Sequence, residues 1–115
     1  MASPQWLTRA ADFETVRREG KRIRTGALEV RTLASLRREG RIGIIVPRYK
    51  HTAVDRNRLK RRLREILRRE WRTPLAAEDP RDIVVRATPA AYRADFVALR
   101  AELVQLVGRL PAGRR

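Results

Sequence analysis

Residues Asp55–Arg72 read DRNRLKRRLREILRREWR. Nine bases (Arg56, Arg58, Lys60, Arg61, Arg62, Arg64, Arg68, Arg69 and Arg72) stand there against three acids, Asp55, Glu65 and Glu70. Leu59, Leu63, Ile66, Leu67 and Trp71 recur at three- and four-residue spacing, the period of a helix with one apolar face. A helix of this kind buries its stripe against another layer, and doing so turns the cations outward. The chain is thereby constrained to a packed domain with a wide positive surface, not a plain basic tail. Thr52 followed by Asp55 has the spacing of a capping box, with Asp in place of the usual Glu, so the helix is expected to start near Ala53. Pro74 ends it. About 20 helical residues span roughly 30 Å.

The remainder of the chain has to supply the partner layer. At 115 residues it reads as one domain over 1–115, with 1–7 and 111–115 expected to be flexible. Leu, Ile, Val and Phe number 29, enough for a modest core. Thr8–Glu19 is expected to be a short helix with Leu7, Ala10, Phe13 and Val16 on one side and Gly20 at its end. Lys21–Thr25 reads as a basic extended connector. Leu28, Val30, Thr32 and Ala34 alternate with Glu29, Arg31 and Leu33, as in a half-buried strand. Leu36–Gly40 resembles a hairpin loop. Arg41–Val46 is a β-branched run suited to a strand buried on both faces, and Pro47 stops it. Leu75–Pro80 reads as a loop and Asp82–Thr88 as a third strand. A last helix is expected where Tyr92, Phe96, Leu99, Leu103, Leu106 and Leu110 step by fours and threes. The fold class is therefore α+β: three helices packed on one small sheet, in the order αββαβα. If the second and third strands are parallel neighbours, the basic helix is their crossover, right-handed by the general rule.

Lys plus Arg number 28 against 13 Asp plus Glu, a formal net charge of +15. Self-repulsion of this size is usually carried for a polyanionic partner, nucleic acid first and an anionic membrane surface second. There is no cysteine, which excludes disulfides, thiolate metal sites and cysteine nucleophiles. No apolar run approaches the roughly 18 residues of a membrane span. No secretory signal is evident at the N-terminus, so a cytoplasmic protein is expected. His51, the only histidine, has no sequence-evident partner, and no Gly-rich phosphate loop is present. Glu78, Asp79 and Asp82 are explained by turn and strand-start chemistry. The expected catalytic set is empty, as is the expected set of protein metal ligands. The candidate binding residues open the basic helix: Arg56, Asn57, Arg58, Lys60, Arg61, Arg62 and Arg64. Positions 57, 60, 61 and 64 share one side, and 58, 62 and 65 another. Guanidinium forks bind phosphate bidentately and stack on bases.

Ala53–Glu65, AVDRNRLKRRLRE, resembles the signature of the bacterial ribonuclease P protein subunit, in which Arg-Asn-Arg opens the central helix. Asp12-Phe13…Val16…Gly20-Lys21-Arg22 is similar to that family's first helix and its exit. Arg41–Val46 and Asp82–Val85 with Pro89 are similar to the strands before and after the central helix. The resemblance implies a fold like domain 2 of ribosomal protein S5, with a left-handed crossover in place of the right-handed default. It implies a subunit of an endoribonuclease that removes the 5′ leader of precursor tRNA, with the chemistry and Mg²⁺ held mainly by a catalytic RNA. Arg56, Asn57, Arg58, Lys60, Arg61 and Arg64 would touch that RNA. A cleft between the first helix and the sheet would take the single-stranded leader, with Phe13 at an aromatic position. The protein would be monomeric outside the complex, with no membrane partner.

The sequence departs from the family's pattern around that cleft. Arg17 stands where a second aromatic is common, and Leu28 and Arg31 where the strand often has aromatics. Pro47–Thr52 replaces the usual Ser-Lys-Lys and glycine. The expected leader cleft, Phe13, Arg17, Arg31, Arg48 and Lys50, thus relies more on charge and guanidinium stacking. Two other readings of the residues are a general RNA- or DNA-binding module and an amphipathic helix that binds a membrane surface.

Overall fold

The structure, a computed structural model, describes residues 5–35, 40–70 and 81–109. In chain order it contains β1 (Gln5–Trp6), α1 (Ala10–Glu19), β2 (Lys21–Arg24), β3 (Leu28–Ala34) and β4 (Arg41–Ile45). These are followed by α2 (Ala53–Glu70), β5 (Arg81–Ala87), a 3-10 turn (Pro89–Arg93) and α3 (Phe96–Gly108). The strands form one mixed sheet in the order β1-β4-β5-β3-β2. β5 is central because nearly all its residues are buried, so it needs a cover on both faces. It runs parallel to β4, with Ile42 beside Ile83 and Ile44 beside Val85. It runs antiparallel to β3, with Val30 beside Val85 and Thr32 beside Ile83. Parallel neighbours need a crossover, and α2 supplies it, as the sequence suggests.

Strand periodicity splits the core in two. Ile83, Val85 and Ala87 face one way with Leu28, Val30 and Ile42, under Leu59, Leu63, Ile66 and Leu67 of α2 and Leu99, Leu103 and Leu106 of α3. Val84 faces the other way, packed with Leu7 and with Val16 of α1, while Phe13, Leu33 and Ile45 seal the edge. The apolar stripe of α2 is thus the inner lid of the sheet. The Thr52 hydroxyl accepts the Asp55 N–H at 3.1 Å, which is half of the expected capping box.

Several expectations need correction. β3 and β4 are not a hairpin: β5 lies between them, and each pairs with it instead. The stretch read as a connector is strand β2, paired antiparallel with β3. Its charged, exposed residues suit an edge strand and hide the alternation that would betray it. The N-terminal segment is not wholly irregular, because Gln5 and Trp6 pair parallel with Arg41 and Ile42. Helix α1 begins at Ala10, two residues later than expected. Gly20 ends it through lack of space: a Cβ there would lie 2.6 Å from the Val16 carbonyl oxygen and 2.8 Å from that of Thr32. Tyr92 belongs to the 3-10 turn, and α3 starts after Asp95, whose Oδ1 accepts the Ala98 N–H at 2.8 Å. Trp71, Arg72, the 75–80 loop, most of the 36–40 loop, Leu110 and the 1–4 and 111–115 ends lie outside the described residues.

One polar network ties α1 to the sheet. Arg41 donates Nε and Nη2 to the Asp82 carboxylate at 3.1 and 2.7 Å, and Nη1 to Asp12 of α1 at 3.0 Å. The hydrogen bonds to Asp82 push the Arg41 pKa above its ordinary value, against the opposing effect of burial. Asp82 is only 7% exposed, so a lost partner would leave its charge uncompensated. Arg41→Met should lower the unfolding free energy by about 3 kcal/mol in urea titration. Arg41→Met combined with Asp82→Leu should recover most of that loss, because neither charge then remains. Equal losses for the two variants would show that the network is not what holds this corner.

Candidate nucleic-acid interface

Burial of the α2 stripe fixes where each cation points. Asn57, Arg58, Arg61 and Arg64 are exposed and Lys60 is half-buried. Asn57, Lys60, Arg61 and Arg64 line one depression of about 210 Å³, the grouping expected from helical spacing. Among the described residues, Arg58, Lys60 and Arg61 make no ion pair or hydrogen bond. The other bases are committed. Arg56 donates Nε to the Val46 carbonyl at 2.8 Å, and Arg62 donates to the Ala94 carbonyl at 3.4 Å. The Arg64 guanidinium lies 5.2 Å from the centre of the Trp6 ring, a cation–π contact. Arg68 and Arg69 both grip Glu65, at 2.8 and 2.7 Å. Those hydrogen bonds, Arg68's first, hold the Glu65 carboxyl down to about 2.

The loop before α2 is tightly built. Tyr49 and Lys50 have φ of 47° and 77°, a left-handed conformation uncommon for residues with side chains. The His51 N–H bonds to the Arg48 carbonyl at 2.7 Å and closes the turn. The Tyr49 hydroxyl donates to the Ala87 carbonyl at 2.9 Å, and that of Tyr92 to the Pro47 carbonyl at 2.7 Å. The His51 ring stacks on Tyr92, with centres 3.8 Å apart and planes 2° apart, and Tyr49 meets Tyr92 edge-on. His51 therefore has partners that the sequence did not show. Burial pushes the Tyr92 hydroxyl above its ordinary pKa.

The cleft between α1 and the sheet exists, with a volume of about 710 Å³. Phe13, Arg17 and Arg31 line it as expected, and Arg56 and Arg86 join them from α2 and β5. Arg86 was missed because its strand position alone does not show which way it faces. Arg48 and Lys50 do not line the cleft. They are exposed on the loop, where Arg48 Nε turns back to the His51 carbonyl at 3.3 Å. Two carboxylates temper the cleft. Glu14 holds Arg17 bidentately, at 2.9 and 2.6 Å. This lowers the Glu14 pKa and raises that of Arg17. Glu29 accepts from Arg22 at 3.3 Å and lies 4.0 Å from Arg31, which donates to the Arg17 carbonyl at 2.9 Å. Among the described residues, no three His, Asp or Glu side chains converge on a metal-sized site.

These elements define a class: a small α+β protein whose exposed chemistry is guanidinium, displayed on a helix and along a cleft. The model of the family described as Ribonuclease P matches residues 1–111. The ribonuclease P protein component of Acidothermus cellulolyticus is 41% identical over 106 residues, covering 90% of this chain and 86% of that one. Its counterpart in Syntrophobacter fumaroxidans is 36% identical over 101 residues, covering 87% and 82%. The solved RNase P protein of Thermotoga maritima superposes with a TM-score of 0.80 at 31% identity, over 93% of this chain and 98% of that one. The Staphylococcus aureus RNase P protein shares the fold, with a TM-score of 0.81 at 23% identity over 95% and 97%. The chain belongs to the ribonuclease P protein family.

Phe13 sits where its ring closes the floor of the cleft against Gly43. A Cβ on Gly43 would lie 2.3 Å from Phe13 Cε1 and 2.6 Å from Cζ. Gly43→Ala should therefore destabilise the protein by about 1–3 kcal/mol. Adding Phe13→Leu should recover part of the loss, so the pair is non-additive in denaturant titrations. Strict additivity would mean that the ring is free to move off the glycine.

Proposed function

We propose that the protein is the RNA-binding subunit of a bacterial ribonuclease P, acting in the cytoplasm on precursor tRNA. The observation that carries this reading is the outer face of α2. Arg58, Lys60 and Arg61 project there with no ion pair or hydrogen bond among the described residues, in a chain that belongs to this family. In this reading Asn57, Arg58, Lys60, Arg61 and Arg64 meet phosphates of the catalytic RNA. Arg56 and Arg62 are turned inward and orient the helix. The cleft beside Phe13, with Arg17, Arg31 and Arg86, takes the single-stranded 5′ leader. Mg²⁺ is held mainly by the RNA, which carries out the cleavage, and the protein stands alone as a monomer until it docks. Reducing phosphate repulsion between leader and RNA is what a cationic subunit contributes, so the effect is largest when Mg²⁺ is scarce.

Reconstitution with a bacterial ribonuclease P RNA tests this. Added protein should accelerate leader removal at low Mg²⁺. Arg58→Ala with Arg61→Ala should weaken RNA binding and reduce the slope of log K against log salt by about two, with the circular dichroism spectrum unchanged. Cleavage at low Mg²⁺ that is indifferent to added protein would refute the assignment. A preference for duplex DNA over this RNA would point to a general nucleic-acid binder instead.

A further inference from the structure

We infer that the stacked rings of His51 and Tyr92, together with the Arg58 guanidinium, form a subsite for one unpaired nucleotide of RNA. The base continues the stack on His51, and its phosphate meets Arg58. This rests on the RNA-binding reading above and adds a specific contact to it.

Four observations carry the inference. The stack is already made, with the imidazole and phenol planes 2° apart at 3.8 Å. It is rigidly held, because the Tyr92 hydroxyl is bonded to the Pro47 carbonyl and Tyr49 braces the Tyr92 ring edge-on. The Asp55 carboxylate lies 3.7 Å from His51 Nδ1, at the edge of the ring and in the lining of the same cavity. A platform fixed before binding loses little entropy when a base settles on it. The platform is also accessible. The His51 side chain keeps 38% of its exposure, and among the described residues Tyr92 is the only ring stacked on it. Finally, a cation is at hand. Arg58 and Arg62 line the same cavity of about 200 Å³ as the two rings. Arg62 leans on the Ala94 carbonyl, whereas Arg58 makes no such bond among the described residues.

The combination is what identifies a nucleotide. Inorganic phosphate would need Arg58 alone and would draw nothing from the aromatic pair. A stacked base with a guanidinium at its phosphate uses both, and aromatic platforms beside cations are how unpaired bases are held. Elsewhere among the described residues, Phe13 packs on Gly43, Trp6 lies beneath Arg64 and Phe96 beneath Arg69. The His51–Tyr92 pair is the parallel aromatic stack among the described residues.

Two measurements test it. In the first, the full chain is titrated with adenosine 5′-monophosphate, ribose 5-phosphate or inorganic phosphate while the His51 ring protons are followed by NMR. Only the adenosine nucleotide should move them upfield, saturably, through the ring current of the base. An equal response to inorganic phosphate, or none to the nucleotide, would overturn the subsite. In the second, binding to a bacterial ribonuclease P RNA is compared across variants. His51→Ala should weaken it about tenfold with an unchanged salt slope, and His51→Phe should restore it, because a phenyl ring stacks without charge. Failure of the phenylalanine variant to restore binding, or an alanine variant that binds like wild type, overturns the subsite. The second outcome leaves the proposed function standing if Arg58→Ala with Arg61→Ala still weakens binding. Wild-type protein that does not bind the RNA removes both.

Discussion

The structure depends on the burial of one apolar seam over a parallel pair of strands. Leu59, Leu63, Ile66 and Leu67 of α2 close over the sheet face that contains Ile42, Ile83 and Val85. Full burial of each such side chain contributes about 2 kcal/mol. The exposed cations opposite repel one another by a few tenths of a kcal/mol per i,i+3 or i,i+4 pair. The seam therefore outweighs the repulsion and sets the rotation of the helix about its axis. The parallel β4–β5 pair needs a crossover in any case, so the helix that must lie across the sheet is also the one that displays the charge.

The opposite face follows a different logic, that of close approach. α1 reaches the sheet because Gly20 lets the chain pass the Thr32 carbonyl and Gly43 lets the Phe13 ring lie on the floor. Arg41 joins Asp12 of α1 to Asp82 of β5. The cleft is consequently a gap between a firmly seated helix and the central strands. Its arginines come from four elements, α1, β3, α2 and β5.

What could be read in the sequence tracks the range of the interactions responsible. Leu59, Leu63, Ile66 and Leu67 of the α2 stripe, the Thr52 half of the cap, and Leu99, Leu103 and Leu106 of α3 are local patterns, and these reappear. Strand β2 was hidden because an edge strand rich in Lys and Arg does not alternate. The β3–β4 hairpin failed because the insertion of β5 between them is a non-local choice, made by a strand that must be buried on both sides. The site divides in the same way. Helical spacing groups Asn57 with Lys60, Arg61 and Arg64, but nothing local indicates that Arg56 would bind the Val46 carbonyl or Arg62 that of Ala94. His51 looked solitary because its partner, Tyr92, lies on the far side of α2 and β5 in the chain. Arg48 and Lys50 were expected in the cleft from the family resemblance, whereas they stand exposed on the loop before α2, at the left-handed turn of Tyr49 and Lys50, and do not line it.

The two cationic surfaces are not equivalent. A polyanion approaching the outer face of α2 displaces water and mobile counterions from Arg58, Lys60 and Arg61, so the entropy of ion release is available in full. A polyanion entering the cleft meets Arg17 already bound bidentately by Glu14, and Arg31 shared between Glu29 and the Arg17 carbonyl. Each phosphate there must first displace a carboxylate, and the liberated acid then opposes it at short range. Exposed ion pairs are weak and screened by solvent, so the cleft is moderated and not closed. Arg86 and Arg56 provide positive charge that these two acids do not hold in an ion pair. The result is a graded molecule, in which the outer face of α2 offers cations unpaired among the described residues and the cleft offers cations already discounted by its own acids.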